Sequence, residues 1–215
     1  PGAVEGELWY DSTNKDFKYL YPNLTSAGSW RTANNMNTGR ENLMTAGTQT
    51  AGLAFGGRSP NKANTELYNG TNWTELNDMN AARSQGGGSG VSTSALAYAG
   101  EPPDNVQNLT ESWNGTNWTA VTTLNTARNL ATGSAGVSNT SALAFGGGSS
   151  PKAYCELWNG SNWTEVNDLN TGRYNGGSSG IATAALYYGG ANPNVANTEL
   201  WNGTNWTEVG DLNTA

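Results

Sequence analysis

Five tryptophans recur along this chain at nearly equal intervals. They are separated by 43, 45, 45 and 43 residues, and similar short signals follow each of them. The five are Trp30, Trp73, Trp118, Trp163 and Trp206. A repeat of about forty residues is typical of a propeller, in which each repeat forms a small sheet and neighbouring sheets share one core. The tryptophan spacing therefore predicts a single all-β repeat domain, a β-propeller.

The signals that follow each tryptophan keep a fixed register. An apolar residue and an asparagine come six and seven residues later, and an arginine comes ten residues later. These arginines are Arg40, Arg83, Arg128 and Arg173. A fifth arginine would fall at 206 + 10 = 216, one position past the last residue. We therefore expect the sequence to be a piece of a longer polypeptide, or only its ordered part.

Each repeat contains four segments with strand character. A stretch of glycine and other small residues comes first, as suits strands that crowd around an axis. A short apolar strand ending in an aromatic residue and glycine follows, as in Ser141-Ala-Leu-Ala-Phe-Gly-Gly147. After a variable polar loop, an Asn-Gly hairpin brackets the turn with two aromatic residues, as in Trp158 and Trp163. Asn-Gly favours a type I′ turn, so each repeat is predicted to be a four-stranded blade.

The repeats divide most of the chain into blades. Complete blades are predicted at residues 41–78, 83–122, 128–167 and 172–210 of a repeat domain spanning 28–215. Residues 1–27 break the repeat and read as an irregular β-hairpin segment, and residues 28–33 enter it as a closing last strand. A composite blade from residues 5–33 would bring the total to five blades.

The pattern resembles the kelch family of propellers over about residues 28 to 215. The resemblance rests on the double glycines Gly56-Gly57, Gly146-Gly147 and Gly189-Gly190 and on the aromatic–tryptophan pairs of the hairpins. Ala99-Gly100 departs from the double glycine, and the aromatic-to-tryptophan interval is shorter than in kelch repeats. The resemblance implies the fold, but not the partners of intracellular kelch proteins.

A second resemblance concerns bacteriophage proteins. The hairpin Gly6-Glu-Leu-Trp-Tyr-Asp-Ser-Thr-Asn-Lys15, the phrase at residues 46–57 and the Asn-Gly-Thr-Asn-Trp-Thr hairpins look like kelch-type repeat proteins of bacteriophages, especially marine ones. Those proteins resemble tail-fibre or other virion appendage proteins. The resemblance implies a structural or host-contacting role and identifies no receptor.

Composition excludes several classes of function. The formal net charge is -7 without a basic run, which argues against nucleic acid as a partner. Histidine is absent, so the chain offers no Ser-His-Asp or Cys-His nucleophile and no histidine-ligated zinc or copper. The lone Cys155 is expected to be a buried hydrophobe. We expect no enzyme activity, metal, cofactor or membrane span, since no carboxylate pair stands apart from the repeat and no apolar run is long enough.

Two sets of residues are candidate ligand contacts. The arginines Arg40, Arg83, Arg128 and Arg173 would form a ring near one channel mouth and bind an anionic sugar or carboxylate. Backbone capping or pairing with an acid such as Asp78 or Asp168 is the favoured alternative. The repeated tryptophans would stack on sugars, but packing between blades is favoured. The hairpin aromatics Tyr68, Trp113, Trp158 and Trp201 are expected nearer the rim, again with packing favoured.

These observations favour a non-enzymatic structural and adhesive module of a virion or extracellular appendage. Its partners would be other subunits and a host-surface glycan or protein. Four loops vary in sequence and follow the second strand, at 58–64, 101–107, 148–153 and 191–197, and recognition is expected there. A secreted carbohydrate-binding lectin is one alternative. A self-assembling filament subunit, whose first 27 residues complete a neighbour, is another.

Overall fold

The structure, a computed structural model, describes residues 8–11, 16–19, 32–101, 106–129, 133–148, 152–191 and 194–214. The chain divides into two compact units, Pro1–Ala33 and Asn34–Ala215. Strands β1 (Leu8–Asp11) and β2 (Asp16–Tyr19) of the first unit form a two-stranded antiparallel sheet. All regular structure in the described residues is β-strand, so the predicted all-β class is confirmed.

The second unit contains four blades of four antiparallel strands, in a ring, and is therefore a β-propeller. Strands run in chain order across each blade, from the innermost to the outermost. Blade 1 comprises β3 (Met44–Thr48), β4 (Ala51–Phe55), β5 (Thr65–Tyr68) and β6 (Trp73–Leu76). Blade 2 comprises β7 (Gly87–Val91), β8 (Ser94–Tyr98), β9 (Thr110–Trp113) and β10 (Trp118–Val121). Blade 3 comprises β11 (Gly133–Ser138), β12 (Ser141–Phe145), β13 (Cys155–Trp158) and β14 (Trp163–Val166). Blade 4 comprises β15 (Gly177–Ile181), β16 (Ala184–Tyr188), β17 (Thr198–Trp201) and β18 (Trp206–Val209).

The structure supports four blades and not the predicted five. The fifth was to be a composite of residues 5–33, but β1 and β2 pair only with each other, as a sheet of two strands. The predicted closing strand at 28–33 and Trp30 fall largely or wholly outside the described residues. The sequence repeat therefore identified the four complete blades and overestimated their number.

The innermost strands pack closely because their side chains are small. Strands β3, β7, β11 and β15 contact one another in that order. A Cβ atom added to Gly88 of β7 would lie 2.6 Å from the backbone oxygen of Thr45 in β3, which is closer than real Cβ contacts. Glycine at this position thus permits neighbouring blades to approach each other at the axis.

The glycines after the second strand have a conformational role, which also explains the one departure from the double-glycine pattern. The first position of each pair has φ of 60 to 67°, within the left-handed region that other residues enter at a cost, and Ala99 occupies it with φ 60°. The second position has φ of 90 to 123°, which requires glycine, and Gly100 keeps it with φ 104°. Ala99-Gly100 therefore preserves the backbone path of the other blades.

The Asn-Gly hairpins form, but not with the predicted turn type. In blade 1, Tyr68 pairs with Trp73, which leaves a four-residue loop from Asn69 to Asn72. Only Gly70 in that loop has positive φ, so it is not a two-residue type I′ turn. The Asn69 side-chain oxygen accepts hydrogen bonds from the backbone N–H groups of Thr71 and Asn72 and stabilises the turn.

Candidate functional site

The repeated arginines are buried in ion pairs with glutamates of the third strands. The pairs are Arg40–Glu66, Arg83–Glu111, Arg128–Glu156 and Arg173–Glu199, and all eight side chains are at most 3% exposed. Arg40 Nη1 lies 3.1 Å from Glu66 Oε1 but is not aligned for a hydrogen bond. The other three pairs are hydrogen-bonded. The four arginines therefore present no guanidinium group to an anionic ligand.

Each glutamate also fixes the segment that leads into its blade. The carboxylate of Glu111 accepts hydrogen bonds from the backbone N–H groups of Asn80 and Ala81, at 2.7 and 3.3 Å. The Asn80 side chain donates to Glu111 and to the backbone oxygen of Trp118. The same contacts recur in blade 3, and in blade 4 all but the second backbone hydrogen bond recur; a similar set holds residues 37–38 on blade 1. The recurrent Asn and Arg thus clamp each linker onto the blade that follows it.

In the pair Arg83–Glu111, burial and ion pairing shift the pKa of the arginine in opposite directions. Desolvation lowers the pKa of the Arg83 guanidinium, and the adjacent Glu111 carboxylate opposes that shift. Arg83 also donates to the backbone oxygens of Ala81 and Ala97. Removing one partner of such a pair leaves an uncompensated buried charge, which costs about 3–5 kcal/mol. The structure therefore assigns these arginines a stabilising role through glutamates, and not through Asp78 or Asp168.

Three of the repeated tryptophans join neighbouring blades. Trp118 of blade 2 lies 4.8 Å, between ring centroids, from Phe55 of blade 1, and its indole N–H donates to Thr65 Oγ1 at 2.9 Å. Trp163 contacts Tyr98 and donates to Thr110 Oγ1 in the same way. Trp206 contacts Phe145 and donates to the Sγ atom of Cys155 at 3.1 Å. These three tryptophans are buried, and we call each of the three arrangements a joint.

The hairpin aromatics also pack inside the propeller. Trp113, Trp158 and Trp201 are at most 2% exposed, and their indole N–H groups donate to backbone oxygens in the turns between the first and second strands. Tyr68, their counterpart in blade 1, is half-buried and donates to the backbone oxygen of Gly70. The three tryptophans are thus buried within their blades and do not lie at an accessible rim.

Cys155 is buried, as the sequence predicts for a lone cysteine in a strand. It occupies the position that threonine holds in the other blades, at Thr65, Thr110 and Thr198. Burial raises the pKa of its thiol to about 12, so the thiol is protonated at neutral pH. Its sulfur therefore acts as the acceptor of a joint and not as a nucleophile.

Among the described residues, no fourth joint links blades 4 and 1. Strand β15 does not make the close contact with β3 that links the other innermost strands. Trp73 of blade 1 is half-buried. Within the described residues its indole N–H has no hydrogen-bond partner, and the one aromatic ring that its ring contacts is Tyr68 of its own blade. On blade 4, Thr198 Oγ1 is buried without a partner, and Tyr188 is half-buried where Phe55, Tyr98 and Phe145 are fully buried.

A cavity of about 550 Å³ lies between blade 1 and the innermost strands of the other blades. Its wall includes Met36, Leu43 and Trp73 on the blade 1 side and residues of all four innermost strands, among them Ser89 and Ser179. Of the described residues that line it, none is charged. The Ser89 side chain is 5% exposed, and its hydroxyl has no hydrogen-bond partner.

The loops after the second strands have the same anchors, and one of the four is longer than the others. Lys62, Gln107, Lys152 and Val195 each donate a backbone hydrogen bond to the second glycine of the preceding pair. These donors follow their glycines by five residues in blades 1, 3 and 4 and by seven in blade 2. Asn61 donates to the backbone oxygen of Glu101, and Asn129 donates to its carboxylate, so the loop bases lie side by side.

The sequence prediction missed the glutamates, although a signal was present. Glu66, Glu111, Glu156 and Glu199 follow their arginines by 26 to 28 residues and occupy the same place in each third strand. Their periodicity matches that of the arginines, whereas Asp168 accepts a hydrogen bond from the backbone N–H of Cys155. Pairing two equally periodic residues of opposite charge would have identified the clamp.

The described residues contain no cluster of three or more potential metal-binding side chains of the His, Cys, Asp and Glu types. Nor do they include a helix of the length and apolarity needed to cross a membrane. In sequence, the chain matches no protein family, and no curated protein shows significant similarity to it.

Proposed function

We propose that this protein is a non-enzymatic structural and adhesive module of an extracellular or virion appendage, and that the loops after the second strands contact the host surface. One observation carries the proposal. The four blades repeat the same clamp and hairpin contacts, while the loops held at one edge of the ring differ in sequence, and the loop of blade 2 is longer than the other three. Variable loops on a rigid scaffold are a common arrangement for recognition.

The use of the carboxylates supports a non-enzymatic role. The four buried glutamates neutralise arginines and accept backbone hydrogen bonds, which leaves none of them free for acid–base chemistry. Glu41 forms an exposed ion pair with Arg58, which is a surface contact of low energetic value. The resemblance of the repeats to kelch-type bacteriophage proteins supports the appendage context.

The loops provide a direct test of the adhesive role. Each is replaced by a Gly-Ser segment of equal length, with the anchoring glycines and the anchoring donors Lys62, Gln107, Lys152 and Val195 retained. Binding of the labelled full chain to a panel of bacterial cells is then measured by flow cytometry. We expect the replacement of one or more loops to abolish binding to the cells that the unmodified protein recognises.

The matched control changes the Asn-Gly hairpin loops, which lie at the other end of the strands. Gly115 in one of these loops is adjacent to Thr93, in the turn between β7 and β8. Thr116→Ala and Thr204→Ala alter exposed residues of such loops and should leave binding unchanged. Binding that survives replacement of all four variable loops, or no binding to any cell tested, would overturn the proposal.

A further inference from the structure

We propose that the cavity between blade 1 and the propeller axis is a binding site for a neutral saccharide. The proposal rests on the adhesive role given above and assigns a ligand class to a site distinct from the variable loops. It is carried by Trp73 at one end of the cavity, by Ser89 in its wall and by the absence of charge among the described lining residues.

Among the repeated tryptophans that the structure describes, Trp73 is the one that is half-buried and not buried. Its counterparts Trp118, Trp163 and Trp206 contact an aromatic ring of the preceding blade and donate their indole N–H across the joint. Trp73 makes neither contact within the described residues and lines the cavity instead. An aromatic ring with an adjacent free donor suits a ligand with both an apolar face and hydroxyl groups, since tryptophan combines a large apolar surface with one polar group.

Ser89 provides an independent indication of a ligand. Its hydroxyl is buried in the cavity wall without a hydrogen-bond partner. A buried polar group without a partner is unfavourable, and a rotation of the Ser89 side chain towards the cavity would let a ligand hydroxyl satisfy it as donor or acceptor. The hydroxyl-bearing residues Thr45, Thr48 and Ser179 line the same cavity and are exposed.

The uncharged lining among the described residues and the negative net charge of the chain favour neutral saccharides over anionic ones. None of the described lining residues is a cation, Arg40 is neutralised by Glu66, and the chain carries a formal net charge of -7. A sulfated or sialylated sugar would therefore lose solvation without gaining a counter-charge. The site is consequently selective for neutral sugars, in contrast to the anionic ligands suggested by the arginine pattern.

The shape of the cavity favours a compact ligand over a docked protein sheet. A sheet placed against blade 1 would cover Trp73 and Met36 but would not fill the axial part, where Gly136 and Gly180 form the wall. A volume of about 550 Å³ is within the range of small-molecule sites. An oligosaccharide of a few rings can occupy both parts at once.

The test measures saccharide binding to the full chain by isothermal titration calorimetry. The probes are neutral disaccharides and trisaccharides, each paired with a sulfated or sialylated counterpart. We expect at least one neutral sugar to bind and its anionic counterpart to bind at least about tenfold more weakly, a difference of about 1.4 kcal/mol. Trp73→Ala and Ser89→Ala should each weaken the neutral sugar, and Trp73→Phe should retain part of the affinity.

The matched control is Tyr154→Ala, which removes a partly exposed aromatic outside the cavity and should not change the affinity. Thermal melting shows whether each variant folds. If Trp73→Ala does not fold, Ser89→Ala and Trp73→Phe still decide the test. The proposal is overturned if none of the sugars binds at millimolar concentration, or if Trp73→Ala and Tyr154→Ala bind equally well. It is also overturned if light scattering shows a dimer that Trp73→Ala dissociates, because the site would then hold a second copy of the chain. Loss of cell binding on loop replacement tests the adhesive role separately.

Discussion

Trp118 and Trp73 occupy the same position in successive blades, yet their surroundings differ. Trp118 lies between two blades, contacts Phe55 and donates to Thr65, and it is 5% exposed. Trp73 contacts the ring of Tyr68 in its own hairpin. Among the described residues, it has no aromatic or hydrogen-bond partner from another blade. The comparison shows that the repeat determines where a tryptophan lies, whereas contacts with the neighbouring blade determine how deeply it is buried.

The clamp beneath the two tryptophans should show no such difference, and its loss should have the largest effect. Glu111→Ala leaves Arg83 buried without its counter-charge, and Glu66→Ala does the same to Arg40. Each change is expected to lower the free energy of unfolding by about 3–5 kcal/mol. Urea denaturation of both variants measures this. An effect of Glu66→Ala well below that of Glu111→Ala would show that the clamp, too, depends on a neighbouring blade.

Truncating the two tryptophans should lower the free energy of unfolding by different amounts, because Trp118 belongs to a joint and Trp73 does not. Trp118→Ala removes a buried ring and leaves a cavity, which costs about 3–5 kcal/mol. Trp73→Ala removes a ring with less buried area and should cost less than half as much. The two midpoints of urea denaturation give the comparison directly. Equal costs would mean that Trp73 is covered in solution.

The threonines at the first position of the third strands allow the same comparison, with a smaller expected effect on stability. Thr110→Val removes the acceptor of the Trp163 indole N–H and leaves that donor buried without a partner, at a cost of about 1–3 kcal/mol. Thr198→Val replaces a hydroxyl that has no partner, so the stability should stay within about 0.5 kcal/mol or rise. A large loss of stability in Thr198→Val would mean that the Thr198 hydroxyl has a hydrogen-bond partner in solution.

The stability that the joint between blades 3 and 4 contributes should decrease at alkaline pH, because that joint contains Cys155. Burial raises the pKa of this thiol to about 12, against about 8.5 in an unfolded chain. Because the unfolded state loses the proton first, this contribution to stability falls as the pH rises from about 9 towards 12. Cys155→Thr restores the residue found in the other blades and removes that decline.

The check is the difference in unfolding free energy between wild type and Cys155→Thr at about pH 8 and about pH 10.5. Burial also raises the pKa of Tyr187, which is present in both proteins; the smaller part of that shift that comes from Cys155 disappears with the thiol and acts in the same direction as the expected difference. The wild type should lose more stability at the higher pH. An identical loss in both proteins would contradict the proposed role of the buried thiol.

The sequence was sufficient to predict the propeller class, the strands of each blade and the burial of Cys155. These follow from local periodicity, which a repeat displays several times over. Blade number was not predictable in this way, because it depends on whether residues before the first complete repeat form a sheet of their own. The roles of Arg83 and Trp113 also depend on contacts outside their local segments, with Glu111 and with the backbone oxygen of Ser92.

The difference between Trp73 and the other tryptophans lies beyond any local pattern. All four follow an Asn-Gly hairpin and precede the same linker, so their sequences predict one environment. Their exposure is set by contacts with the blade on the other side, and Trp73 has no such aromatic or hydrogen-bond contact among the described residues. A candidate site at a repeat position is therefore identified by the contact that the other repeats have and this one lacks.

Hydrogen exchange of the indole N–H groups, followed by ¹⁵N NMR, tests the central claim most directly. Trp73→Phe assigns the Trp73 signal. In the free protein, the indole protons of Trp118, Trp163 and Trp206 should exchange at least about a hundredfold more slowly than that of Trp73, because joint hydrogen bonds protect them. A bound neutral saccharide should slow the exchange of Trp73 alone. A Trp73 proton as protected as the other three in the free protein would contradict the account.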